Sequence, residues 1–300
     1  MVSQDNTQNN NGPNNASIGV FDSGIGGLTV VKHLRDLLPC EDIVYFGDTA
    51  RVPYGTKSED VTKRFAFENS HFLLEHDVKI IVVACNTVAS TAIHLLEKHL
   101  EIPVIGVIQP GAEACVKQTY KKKVGVIGTP ATIRSESYSR KILKLDHKIK
   151  VIDQACPLFV PLVEEGFFED KAAYLIAKRY LNKFIAEDID TLILGCTHYP
   201  MLRKTIQRVL GDNVAMVDSG RETAKFVKQY LKENNLATSQ TVKPRLKIYV
   251  SDLPHKFQQI AERFLQNSLS HIETIDFEQF LINKGKDFRN YINEILVQDV

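Results

Sequence analysis

The sequence predicts an α/β protein made of two pseudo-symmetric, doubly wound parallel-sheet lobes. Short continuous apolar runs alternate with amphipathic helical stretches, as in parallel strands covered on both faces. The pattern then restarts. Val124-Gly125-Val126-Ile127-Gly128-Thr129 echoes Ile18-Gly19-Val20-Phe21-Asp22-Ser23, 106 residues later. Two cysteines stand in matching surroundings, Val83-Ala84-Cys85-Asn86-Thr87 and Leu194-Gly195-Cys196-Thr197-His198, 111 residues apart. Val214-Ala215-Met216-Val217 likewise follows Val104-Ile105-Gly106-Val107 by 110 residues. Matches at nearly one offset mark an internal duplication.

Taken in order, the run Ile18-Gly19-Val20-Phe21 is a strand that leads into a helix over 28–38. Asp42-Ile43-Val44-Tyr45-Phe46 is the next strand, followed by a loop and a helix over 58–76. A strand over 80–84 precedes a helix over 87–99, and 104–108 is a further strand. The second half repeats this, with a helix over 221–232 after its last strand. Beyond a polar connector come a strand at Lys247-Ile248-Tyr249-Val250, a helix over 254–266, a strand-like 272–277 and a short amphipathic helix near 288–296. This tail reads as packing. Residues 1–16 are Asn/Gln-rich without an apolar signal region and read as a disordered leader.

Composition narrows the function. A 300-residue chain that is 44% hydrophobic and 24% charged buries a sizeable core. A net charge of +1 with no basic block gives no support to nucleic acid or an anionic membrane as partner. No apolar stretch reaches spanning length. Five cysteines, at 40, 85, 115, 156 and 196, follow neither disulfide nor metal-ligand spacing and read as free thiols in a cytoplasmic protein. Cys40, Cys115 and Cys156 read as structural filler.

In a parallel α/β sheet ligands sit beyond the carboxyl ends of the strands. Asp22-Ser23-Gly24, Pro53-Tyr54-Gly55, Cys85-Asn86-Thr87 and Cys196-Thr197-His198 all fall at such ends. Both Cys85 and Cys196 precede predicted helices, whose N-termini favour thiolate over thiol and can hold a carboxylate. From an ordinary value of about 8.5, a modest shift makes such a thiol a base near neutral pH. Asp22 can orient or deprotonate a thiol, or simply cap the Gly24-Ile25-Gly26-Gly27 turn. That turn lacks both the dinucleotide spacing and a phosphate-loop lysine. His198 can exchange a proton with Cys196. Asn86, Thr87 and Thr197 suit a carboxylate or amine, or cap helices. Pro53-Tyr54-Gly55 alone is a turn signal.

These motifs together resemble those of glutamate racemase, in the aspartate/glutamate racemase superfamily. The likeness rests on Gly19-Val20-Phe21-Asp22-Ser23-Gly24-Ile25-Gly26-Gly27, Pro53-Tyr54-Gly55-Thr56-Lys57, Ala84-Cys85-Asn86-Thr87, the run from Cys156-Pro157 to Glu164, and Gly195-Cys196-Thr197-His198-Tyr199-Pro200. It spans about residues 18–277. The resemblance implies a cofactor-independent enzyme, with no metal, that interconverts L- and D-glutamate for bacterial peptidoglycan. It implies Cys85 and Cys196 as catalytic bases, aided by Asp22 and His198 respectively. The acidic helper maps to Glu164, with adjacent Glu165 as the alternative. Substrate contacts would be Asp22, Ser23, Tyr54, Gly55, Asn86, Thr87, Thr197 and His198, with Thr129 a weaker candidate. The lobes would exchange chain, the first being 17–109 plus 220–300 and the second 110–219, with the active site in the cleft between them. A homodimer is also implied. The rivals are a racemase for another acid, a non-catalytic two-lobed binding protein and a thiol oxidoreductase.

Overall fold

A computed structural model describes residues 15–253, 257–269 and 271–298. The leader therefore lies outside the described residues except for its last two. Of these, Ala16 is buried and Asn15 Oδ1 accepts a hydrogen bond from the Thr238 hydroxyl at 3.0 Å.

Two parallel sheets form the frame. The first contains β1 (Ser17–Asp22), β2 (Ile43–Gly47), β3 (Val78–Val83), β4 (Val104–Gly106), β9 (Leu246–Val250) and β10 (Glu273–Thr274), in the order β10-β9-β2-β1-β3-β4. The second contains β5 (Lys123–Gly128), β6 (Lys150–Ala155), β7 (Thr191–Gly195) and β8 (Ala215–Asp218), in the order β6-β5-β7-β8. All pairs are parallel. The order β2-β1-β3-β4 is repeated as β6-β5-β7-β8, which is the duplication expected from the echoes.

Why the strands are continuous apolar runs is visible in their alternation. Ile18, Val20, Ile43, Tyr45, Ile80 and Val82 enter one core. Phe21, Val44, Phe46, Ile81 and Val83 enter the other, on the opposite face. Successive side chains point to opposite faces, and here both faces are covered by helices. One face carries α1 (Leu28–Leu37), α11 (Ser219–Glu233) and α12 (Phe257–Leu265), with α1 packed on both of the others. The other carries α2 (Glu59–Leu74), α3 (Asn86–Thr91) and α4 (Ile93–His99), with α13 (Phe277–Asn283) and α14 (Gly285–Gln298) added by the tail. The second sheet is covered by α5 (Ile108–Gln118), α6 (Pro130–Arg134), α7 (Ser137–Leu145), α8 (Phe159–Glu164), α9 (Lys171–Ala186) and α10 (Arg203–Leu210). Among the described residues no helix is long and apolar enough to cross a membrane.

Three local expectations need correction. The helix expected over 87–99 is two helices parted at Ala92. The Ser90 hydroxyl donates to Thr87 O, and that of Thr91 to Thr87 O and Val88 O, local bonds that compete with continuation of the helix. The strand expected over 104–108 stops at Gly106, because Val107 already turns into α5. The strand-like 272–277 is reduced to two residues. Asp276 instead caps α13 by accepting from Gln279 N–H at 2.8 Å, so Phe277 begins a helix. The helix over 254–266 starts within the described residues at Phe257, and 254–256 lie outside them.

Because Ile80 and Ile81 are both fully buried, on opposite faces of one strand, neither face is spare. Replacing either by Ala is expected to cost about 2–5 kcal/mol in urea unfolding. A near-neutral result for one of them would mean that its face is solvated.

Candidate active site

The carboxyl ends of the two sheets face each other across a cavity of about 440 Å³. From the first sheet, β1 delivers Ser23, the turn after β2 delivers Tyr54 and Gly55, and β3 delivers Cys85, Asn86 and Thr87. From the second, β5 delivers Thr129, α8 delivers Glu164, and β7 delivers Cys196, Thr197 and His198. Every site residue expected from the sequence lines this space except Asp22, which is buried beneath it. Cys40, Cys115 and Cys156 are not among the lining residues.

The lobes meet closely here. A Cβ on Gly26 would fall on the Thr197 hydroxyl oxygen and 2.5 Å from His198 Nδ1. A Cβ on Gly55 would lie 2.9 Å from Thr129 Cβ. Only glycine permits both approaches. The Thr29 hydroxyl, 3.1 Å from Thr197 O, adds a bond across the junction.

The two thiols have unlike surroundings. Cys85 caps α3, and its Sγ donates to Ser23 Oγ at 3.5 Å. Cys196 stands before a 3-10 turn, Tyr199–Leu202, rather than the helix expected, with Pro200 in that turn. Its Sγ is 4.0 Å from His198 Nδ1, while His198 Nε2 is 3.0 Å from Glu164 Oε1. Glu164 is thus a carboxylate on His198. The Phe264 ring covers this imidazole edge-on at 5.3 Å.

Hydroxyl and amide groups floor the cleft. Thr87 Oγ1 and Thr129 Oγ1 are 2.9 Å apart, and Tyr138 donates its hydroxyl proton to Asn86 Oδ1 at 2.7 Å. Asn86 Nδ2 and Asp22 Oδ1 are buried without partners. Unpaired buried polar atoms are costly and rare, so a ligand's polar groups are their natural complement. Val160, Pro161, Phe257 and Ile260 supply an apolar wall. Sequence reasoning missed Tyr138 and this wall and underrated Thr129. Val160 and Pro161 lie in the run from Cys156 to Glu164, but no local motif marks Phe257 or Ile260, and only the offset from Ser23 points to Thr129.

The sequence pattern of the Asp/Glu/hydantoin racemase family matches residues 27–227. Glutamate racemase of Syntrophus aciditrophicus is 46% identical over 267 residues, 89% of this chain and 99% of that protein. That of Geobacter metallireducens is 45% identical over 262 residues, 87% of this chain and 97% of the relative. The crystal structure of glutamate racemase from Francisella tularensis in complex with D-glutamate superposes with a TM-score of 0.84 at 42% identity, covering 89% and 99% of the two chains. The chain belongs to the Asp/Glu/hydantoin racemase family.

In this racemase, electrostatics separates the two thiols further. Burial, then the Asp22 carboxylate, pushes the Cys85 thiol up to about 12. The Val88 N–H at the helix end and the Ser23 hydroxyl pull the other way and are outweighed. The helix N-terminus alone favours a thiolate, but here the group is held as a thiol, because desolvation disfavours the charged form. Burial also raises the Asp22 carboxyl, against the opposing pull of His198 and three backbone N–H groups. His198 goes the opposite way. Burial disfavours its charge, but the Cys196 sulfur and the Glu164 carboxylate overcome this and push it up to about 10.

Alkylation of Cys85 by iodoacetamide, followed by peptide mass spectrometry, is expected to accelerate with pH without levelling off below about 12. Asp22→Asn removes a neighbouring charge and moves the profile to lower pH. A wild-type plateau in the ordinary thiol range would contradict this electrostatic picture.

Proposed function

We propose that the protein is a cofactor-independent glutamate racemase that works with two thiols. The observation that carries this reading is the opening of Cys85 and Cys196, from equivalent strand ends of two lobes, onto one cavity. Racemisation removes the α-proton from one face of a carbon and returns one to the other. Two side-chain acids and bases on opposing surfaces meet that need, and a duplicated fold supplies the surfaces.

In the proposed cycle one sulfur, as thiolate, takes the α-proton and becomes a thiol. The opposite thiol then gives its proton to the other face and becomes the thiolate. Cys85 acts on D-glutamate and Cys196 on L-glutamate, assisted by Asp22 and by the His198–Glu164 pair. A Cys85 thiol held near 12 is a poor base by itself. Substrate ammonium entering beside Asp22 supplies the positive charge that favours its thiolate, strongly so in a desolvated space. Thr87, Thr129, Thr197, Asn86 and the main chain at Ser23 and Gly55 bind the carboxylates. Closure of the lobes excludes water and stabilises the carbanion-like transition state. Glutamate is favoured as substrate by the relatives named above. By the same family likeness we assign the protein to the cytoplasm as a homodimer that supplies D-glutamate for peptidoglycan.

The enantiomers have equal free energy in water, so no variant can lose kcat/KM in one direction alone. Exchange is therefore the sharper assay. In heavy water the wild type is expected to introduce deuterium at the α-carbon of each enantiomer, read by NMR. Cys85→Ala and Cys196→Ala are each expected to lower net racemisation by about 10²–10⁴-fold, the usual contribution of a general acid or base. Absence of deuterium uptake by the wild type would remove the racemase reading. Full activity in either variant would remove the two-thiol scheme.

A further inference from the structure

A buried polar cluster lies behind the cleft and has no place in the chemistry described so far. Its centre is Arg51, which does not line the 440 Å³ cavity. Arg51 instead borders a separate hollow of about 820 Å³ formed with α2, α13 and α14. Its Nε donates to Asp48 Oδ2 at 2.6 Å, its Nη2 to Asn69 Oδ1 at 3.0 Å, and its Nη1 to Glu68 Oε2. The guanidinium carbon is 3.8 Å from the centre of the Phe65 ring and 4.9 Å from that of Phe277.

The other side of the cluster reaches the active site. The Tyr54 hydroxyl donates to Asp48 Oδ2 and accepts from Asn69 Nδ2 at 3.3 Å. Its donor is thus committed away from any substrate, leaving the ring and main chain for the cleft. Asp48 is fully buried, and its other oxygen accepts from Ser251 Oγ at 3.0 Å. The Asp48 N–H donates to Asp22 O at 3.1 Å, which ties the cluster to the strand end beneath Cys85. One turn carries Asp48, Arg51, Tyr54 and Gly55, and Gly55 is the point that touches Thr129 of the opposite lobe.

We propose that Arg51 is a positioning residue that, held between Phe65 and the tail residue Phe277, sets the Tyr54–Gly55 turn against Thr129 and so fixes the width of the cleft. The inference rests on the reading of the cleft as the glutamate site. A buried carboxylate such as Asp48 is tolerable only while its charge partner and hydrogen bonds are in place. Removing the guanidinium takes the cation from the buried Asp48 and leaves Glu68 with only Arg64, 3.9 Å away, so the carboxylate that accepts from the Tyr54 hydroxyl is no longer held in place. Lysine does not substitute, since the cluster uses three nitrogens in a planar fork stacked on rings. On this account the tail helices contribute to catalysis without entering the site.

The test compares wild type, Arg51→Ala, Arg51→Lys and Phe277→Ala, with Phe277→Leu as the conservative variant. Misplacement of a binding turn is expected to lower kcat/KM for glutamate in Arg51→Ala by about 10²-fold, expressed mainly in KM. Guanidinium added at millimolar concentration restores much of the loss, and ammonium at equal ionic strength does not. Arg51→Lys stays impaired. Phe277→Ala shows a smaller rise in KM, reversed in Phe277→Leu, and decides the matter if the arginine variant does not fold. Amide hydrogen exchange across 52–57 is expected to quicken in Arg51→Ala and Phe277→Ala. Unchanged KM and unchanged exchange in folded variants would overturn the proposal. If the wild type itself exchanged no α-proton, the glutamate reading would fall separately, and hydrogen exchange across 52–57 would still judge the role of Arg51.

Discussion

Residue 26 has no room for a side chain, and the rest of the site depends on that. A Cβ there would lie on Thr197 and His198 of the opposite lobe. Gly26 opens the turn into α1, so its bareness lets the strand ends of one sheet settle directly onto those of the other. With that approach made, Asp22 and His198 come close enough to act on each other's charge, and both cysteines are nearly sealed from water. Burial then does most of the electrostatic work. It raises Cys85 and Asp22 and makes the ion pairing of His198 matter far more than it would at a surface.

The duplication explains both what the two halves share and where they part. Aligned by strand, Cys85 corresponds to Cys196, Ser23 to Thr129 and Thr87 to His198, while Asp22 corresponds to Gly128. The first lobe therefore puts a carboxylate at the end of its central strand, where the second has none. The second puts an imidazole where the first has a hydroxyl. Under the proposed mechanism each thiol has a helper of different charge type, although the carbon centre between them is served in mirror-image fashion. A pseudo-symmetric backbone with unlike helpers fits a reaction whose two substrates are mirror images while the protein itself is chiral.

The frame was readable because parallel strands buried on both faces leave continuous apolar runs, and the repeat gave their order twice. The residues after each run could be placed at one end of the sheet by the same logic. Features that depend on distant neighbours were not readable from residue patterns. The break at Ala92 comes from hydroxyls of Ser90 and Thr91 choosing backbone partners, which periodicity does not register. The pairing of His198 with Glu164 joins residues 34 apart through the packing of α8, and only the family likeness pointed to it. The state of Cys85 is hidden from the sequence for a related reason. The sequence displays the helix end and its Val88 N–H, but not the burial that outweighs them.

The central claim is that two thiols from two sheets border one substrate. It is tested most directly by protection of each cysteine from alkylation as glutamate is titrated, read peptide by peptide. The account predicts that Cys85 and Cys196 are protected together, with the same half-saturating concentration, while exposed Cys40 is unaffected. Protection of one active-site cysteine without the other, or of the two at different concentrations, would contradict it.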